Sequence, residues 1–287
     1  MHQNLDLRPS PIAGRWYPGE AEKLARGVDE YLARAQLPKI TGEVVGIIAP
    51  HAGHIYSGAV AGYAFAAVRG LRLELVAVIS PMHYPYPQPL LTSDHTAYQT
   101  PLGSIEIDQV ALGELDDLLQ SELGYGLTRV RNDPEHSLEI ELPFLQRALT
   151  NDFLLLPVMM RDQSARVCET LGRALAQVLS GREALLVAST DLSHFFSQRQ
   201  AEILDAEMLH RIEEFDPLGV LLAEEEGVGF ACGRSAVASV LWAARGLGAD
   251  KVTVLKHATS GEVTGDYREV VGYGAAVITR LSREVGE

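Results

Sequence analysis

The residues best suited to chemistry stand directly after apolar runs. His51 and His54 lie in APHAGHIYSG (49–58), His83 in SPMHY (80–84), and Asp191 and His194 in STDLSH (189–194). Imidazole, carboxylate and thiolate are the usual ligands of transition metals. In open α/β sheets, ligands bind just past the carboxyl ends of the strands. Three strands ending in such residues would present them on one rim. His136 and Cys232, each at the entry of an expected helix, could reach the same rim. One histidine alone reads equally well as a turn cap bonded to the backbone, and His54 in particular as a structural hydrogen-bonder. The repetition at three strand ends is what points to a metal site. Cys232, between Ala231 and Gly233, reads as a ligand, as a buried apolar residue, or as a nucleophile whose pKa a helix start would lower. Cys168, beside Val167 and Leu171, reads as a core thiol. His2 is assigned to a terminal tail, His210 to a solvated helix face, and His95 and His257 to no role.

These residues must be carried by strands and helices in alternation. Apolar runs at 44–48, 75–80, 153–158 and 184–189 read as buried strands, with further strands at 252–256 and 270–278. Helical spacing marks 20–35, 59–69, 109–120, 138–149, 164–180, 198–215 and 217–226, and a helix opens after GVGFACG (227–233) and runs to 245. Residues 98–108 read as a hairpin, which favours a mixed sheet over a purely parallel one. Asp133 before Pro134 reads as a helix start. Trp16 and Tyr17, in the lead-in RPSPIAGRWYP (8–18), are expected to cover the core edge. Gly53 and Gly58 would let the histidine turn bend and approach its neighbours closely. The pattern is that of an α/β fold, a single three-layer α/β/α domain with a mixed central sheet over 1–287.

Composition excludes several functions. The chain is 47% hydrophobic with mean hydropathy +0.04, and no apolar run approaches a membrane span. Its 38 acids outnumber 24 bases, giving a net charge of −14 with no basic run; nucleic acid is not an expected ligand. No signal core opens the sequence. Two cysteines make no disulfide framework and suit a reducing cytoplasm, with one Cys168–Cys232 bridge left open. There is no Walker loop and no Gly-x-Ser-x-Gly elbow, and GVGFACG lacks the third glycine of a dinucleotide fingerprint.

RPSPIAGRWYP, APHAGHIYSG, SPMHY, EHSLEIELPFL, STDLSHF, ACGRSA and TGDYREVVGYGA stand in the order found in the Memo family, whose prokaryotic members are called AmmeMemoRadiSam system protein B. The resemblance runs nearly end to end. It implies a fold like that of the class III, LigB-type extradiol dioxygenases, which hold non-haem iron with two histidines and a glutamate. It implies His51 and His83 as metal ligands with Cys232 in the place of the glutamate. His194 resembles the dioxygenases' acid/base histidine, with Asp191, three residues before it, expected to orient it or to join the metal shell, and His136, His54 and Tyr56 are assigned to the substrate pocket. A thiolate is softer than a carboxylate, so the expected cofactor is one redox-active ion, iron(II) or copper, with zinc also compatible. The resemblance implies a cytoplasmic, dioxygenase-like oxidoreductase working with an AMMECR-type protein and a radical SAM protein. The alternative is a non-catalytic module that binds a peptide or a partner in the same pocket.

Overall fold

The protein is described by a computed structural model over residues 5–281; His2 and both ends of the expected 1–287 unit lie outside the described residues. The chain runs through β1 (Leu7–Arg8), α1 (Ala21–Arg34), β2 (Glu43–Ala49), α2 (His54–Ala66), β3 (Leu75–Pro81), β4 (Leu90–Ser93), β5 (Ala97–Thr100), β6 (Gly103–Glu106), α3 (Gln109–Leu123) and β7 (Thr128–Val130). A 3₁₀ turn, Glu139–Glu141, leads into α4 (Leu142–Ala148). Then follow β8 (Leu154–Met160), α5 (Ala165–Leu179), β9 (Ala184–Ser189), β10 (His194–Phe196), α6 (Gln198–Glu213), α7 (Pro217–Glu225), α8 (Arg234–Gly246), β11 (Lys251–Thr259), α9 (Gly261–Thr264) and β12 (Val270–Arg280).

The main sheet has the order β10-β12-β2-β9-β3-β8-β4-β7, with β11 paired to β12. Its centre, β2-β9-β3-β8, is parallel. Every residue of β3 is buried, because helices cover both faces and a central parallel strand meets no solvent. One helical layer includes α1, α2 and α4; another includes α3, α5 and α8. The amphipathic α1 shows why packing governs here. Its start, Glu20, makes no side-chain cap, a loss of about 1 kcal/mol. Leu24, Val28 and Leu32 are fully buried on one face, each contributing about 1.5–3 kcal/mol.

This is the α/β architecture expected from the alternation, with corrections of detail. The mixed character comes mainly from β12, antiparallel to β2 and β11. The 98–108 hairpin forms, but it joins β1 in a separate small sheet. α2 begins at His54 itself, five residues before the expected start, so Gly58 lies inside the helix, where an added Cβ would press on the Tyr31 ring. The segment 138–149 is a 3₁₀ turn before a short helix, and Asp133 starts no helix; its carboxylate is engaged by Arg8. No helix among the described residues is long and apolar enough to cross a membrane. Cys168 and Cys232 are both free thiols.

Candidate metal centre

β2, β9 and β3 lie side by side, with Ala49 opposite Ser189 and Ile79 opposite Ala188. Their carboxyl ends therefore share one rim. His51 follows β2 by two residues and His83 follows β3 by two. His136 arrives from the loop between β7 and the 3₁₀ turn. The ring centroids are 5.2 Å apart for His51–His83, 5.5 Å for His51–His136 and 4.8 Å for His83–His136. One nitrogen from each ring lies within 4.8 Å of the other two.

The protein fixes which nitrogens remain available. His83 Nδ1 is 2.9 Å from Glu135 Oε1, and His136 Nδ1 is 3.2 Å from the same oxygen. Glu135 also accepts the backbone N–H groups of His83, His136 and Ser137. Burial raises its pKa, but the His83 hydrogen bond, the two imidazoles and the Ser137 N–H outweigh burial and hold it down at about 2. An ionised carboxylate only accepts, so His83 donates from Nδ1 and keeps Nε2 bare. His51 Nδ1 is 2.9 Å from the Ser189 hydroxyl. Carboxylates and hydroxyls that hold a ligand's far nitrogen are the usual second support of a metal-binding imidazole. Burial, with the neighbouring His136 and His83, pushes His51 well down, and burial takes His136 to about 4. Those two rings are thus held in the neutral, ligating form.

Asp191 and His194 share the rim but do not pair. Asp191 Oδ1 accepts the backbone N–H of His51 at 2.8 Å and of Ala52 at 3.3 Å, so it shapes the histidine turn instead of orienting His194. Burial raises Asp191 to about 7. His194 Nδ1 is 2.8 Å from the Leu192 carbonyl. A carbonyl cannot donate, so Nδ1 carries the proton and Nε2 is the acceptor. Burial also pushes the His194 pKa down.

Cys232 Sγ stands 3.2 Å from His51 Nε2 and accepts the Asp191 N–H at 3.3 Å. Gly233 permits this approach: a Cβ there would fall on the Ser189 carbonyl and the Thr190 side chain. The expected lowering of the thiol pKa by a helix start is overturned. Burial and the Asp191 charge push Cys232 upward, and α8 begins only at Arg234, two residues on.

Above the rim lies a cavity of about 820 Å³, lined by His51, His83, His136, Asp191 and His194 together with His54 and Tyr56. His54 is anchored in the wall: Nε2 donates to the Ile140 carbonyl at 3.3 Å, and its ring packs against Tyr17 and Phe144. Sequence reasoning missed most of the aromatic lining. Trp16 sits 4.0 Å from His136, and Tyr31 and Tyr273 also face the cavity. Tyr17 is buried and Trp16 packs against the core, as expected for its edge, and both also line the cavity. Glu135 stands out in the sequence as a carboxylate near His136, with Glu139 and Glu141, but its hold on His83 was missed, as was Ser189 as a support. The only signal for Ser189 was its position as the last residue of a strand.

Fold and site together define an α/β/α protein with a histidine cluster able to hold a metal at the carboxyl rim of its sheet. The profile of the family described as Memo-like protein matches residues 8–277. A MEMO1 family protein of Thermotoga neapolitana is 35% identical over 287 residues, covering 95% of this chain and all of the relative. Relatives of the same description from Nitrosopumilus maritimus (32% identical, 94% of this chain and 98% of theirs) and Methanothermobacter thermautotrophicus (34%, 93% and 98%) agree. The chain belongs to the Memo family.

Proposed function

We propose that the protein is a metal-dependent oxidoreductase that holds one redox-active ion, iron(II) or copper, on His51 and His83, with His136 clustered with both as a third ligand and Cys232 beside His51 as the competing thiol. The observation that carries this reading is the histidine cluster at the floor of the cavity, its Nδ1 atoms engaged by Ser189 and Glu135. The Nε2 atoms of His83 and His136 have no hydrogen-bond partner among the described residues. Imidazole with a neighbouring thiol suits the later first-row metals. Ligand bonds of about 2.1 Å to nitrogen and 2.3 Å to sulfur together exceed the 3.2 Å between His51 Nε2 and Cys232 Sγ, so one ion can touch both.

When bound, the ion would supply electron exchange with a substrate and an oxidant such as oxygen. The chain's own residues do the rest. Trp16, Tyr56 and Tyr273 give the cavity apolar walls that exclude water from a small organic substrate. His194, neutral and with Nε2 as acceptor, would take a proton from a substrate hydroxyl. Asp191 holds the His51 turn in place.

A second reading has its own support. Ile55 and Phe195 line the cavity and are 66% and 70% exposed, an apolar mouth that suits a peptide or protein partner. The proposed setting, a three-component system with an AMMECR-type and a radical SAM protein, rests on the family resemblance, and co-purification of the three proteins tests it.

Elemental analysis of tag-free protein, followed by oxygen uptake with a catechol and a reductant, separates the two readings. Stoichiometric metal is expected, lost in His51→Ala and His83→Ala and retained in His194→Ala, which loses turnover. Whichever of Cys232→Ser and His136→Ala sheds the metal identifies the third ligand, with Cys168→Ser as control. Metal-free protein that still binds an apolar peptide at this mouth would support the module instead.

A further inference from the structure

We propose that Glu141 is a neutral carboxylic acid that donates to Ser189, the hydroxyl that supports His51 Nδ1. It is a positioning residue behind the metal centre. This deepens the proposed function, but its first readout needs no metal.

The argument is a count of protons. Ser189 Oγ has three partners: the Ser137 carbonyl at 2.6 Å, Glu141 Oε1 at 2.7 Å and His51 Nδ1 at 2.9 Å. A serine hydroxyl has one proton to give and two lone pairs to receive. The Ser137 carbonyl can only accept, so the hydroxyl proton goes there. The other two partners must then donate. His51 does so as Nδ1–H, which leaves Nε2 without a proton. Glu141 can do so only as a carboxylic acid. An ionised Glu141 would leave two acceptors competing for one proton at the same oxygen.

The surroundings agree. Glu141, Ser137 and Ser189 are completely buried. Burial pushes the Glu141 pKa far up; the Ser189 hydrogen bond opposes this and the Asp191 charge adds to it. Glu141 Oε2 is buried with no partner among the described residues. A neutral carbonyl oxygen tolerates that far better than a carboxylate, whose uncompensated burial is prohibitive. The motif EHSLEIE (135–141) therefore carries two carboxyls of opposite state. Glu135 is ionised against His83, and Glu141 is neutral behind His51. Environments that drive two acids apart in this way mark paired roles at a site.

Infrared difference spectroscopy tests this on the metal-free protein. At neutral pH the wild type should show the carbonyl stretch of a buried neutral acid, missing in Glu141→Gln, whose side chain keeps volume, neutrality and a donor. Zinc, a redox-silent probe, should shift that band in step with its own binding. Glu141→Gln should bind zinc within about twofold of wild type, whereas Glu141→Leu and Ser189→Ala should lose about tenfold or more, as expected for a lost outer partner of a ligating histidine. The proposal is overturned if the variant removes no neutral-acid band, or if Gln weakens zinc binding as much as Leu. A wild type that takes up no zinc would instead count against the metal site, while the band still decides the state of Glu141.

Discussion

Glu135 is the residue on which the histidine cluster most depends. It accepts from three consecutive-loop and strand-end N–H groups and faces both His83 and His136. Glu135→Gln keeps the size but removes the charge that fixes the His83 tautomer. Calorimetric titration should show zinc affinity reduced about 10–100-fold with the fold intact by circular dichroism; unchanged affinity would remove Glu135 from the support of the site. The placement of the histidines at strand ends was legible in the sequence, because an apolar run followed by Pro, Gly and His is a local pattern. The supports were not. Glu135 reaches the backbone N–H and the ring of His83, 52 residues away, and Ser189 differs in no local feature from any serine ending a strand. The pairing of Asp191 with His194 was suggested by their spacing of three, but the backbone turns Asp191 toward β2 instead.

At the scale of elements, two features carry testable strain and charge. In β10 the register slips between His194 and Phe196, and Phe195 between them has φ of 62°. Left-handed backbone costs a residue with a side chain about 1–2 kcal/mol, and an exposed ring recovers little of it. Phe195→Gly and Phe195→Ala both remove the ring, so the glycine variant should be the more stable by about 1 kcal/mol in urea unfolding; equal midpoints would show the conformation to be unstrained. Short strands such as β10 and β7 escaped sequence reasoning because their pairing is dictated by a neighbour rather than by their own periodicity.

α2 begins on His54, whose pKa burial lowers from 6.5 to about 4. The unfolded chain therefore takes up this proton first as the pH falls. Stability is complete above about pH 6.5 and declines toward pH 4, by an amount on the order of 3 kcal/mol from this one group. Buried acids with raised values, such as Asp191, tilt the curve the opposite way, so the comparison must be differential. His54→Gln, which keeps a donor for Ile140, should be less acid-sensitive than wild type in metal-free unfolding between pH 6.5 and 4. Identical pH profiles would show that His54 is not the titrating group.

For the whole molecule, Arg8 ties the small sheet to the loop that carries the site. Its guanidinium is fully buried and bonds the Asp133 carboxylate, the Asp133 and Glu135 carbonyls and Glu139, and it lies 4.8 Å from the Tyr98 ring centroid. Glu139 in turn accepts from Ser10 and Tyr17. Removing one partner of a buried ion pair costs about 3–5 kcal/mol. Arg8→Met should therefore loosen residues 131–138 before the central strands, giving fast hydrogen exchange there and weaker zinc binding. Uniform protection across that loop would mean that Arg8 only packs.

The same tie sets an order of events during synthesis. Arg8 leaves the ribosome with none of its carboxylate partners yet made, since Asp133 follows 125 residues later. Until then the guanidinium has to stay hydrated and the segment around Arg8 has to stay undocked. The His136 loop can lock only when that segment and a much later part of the chain meet, and a restraint on the segment around Arg8 would delay maturation of the pocket without altering any residue in it.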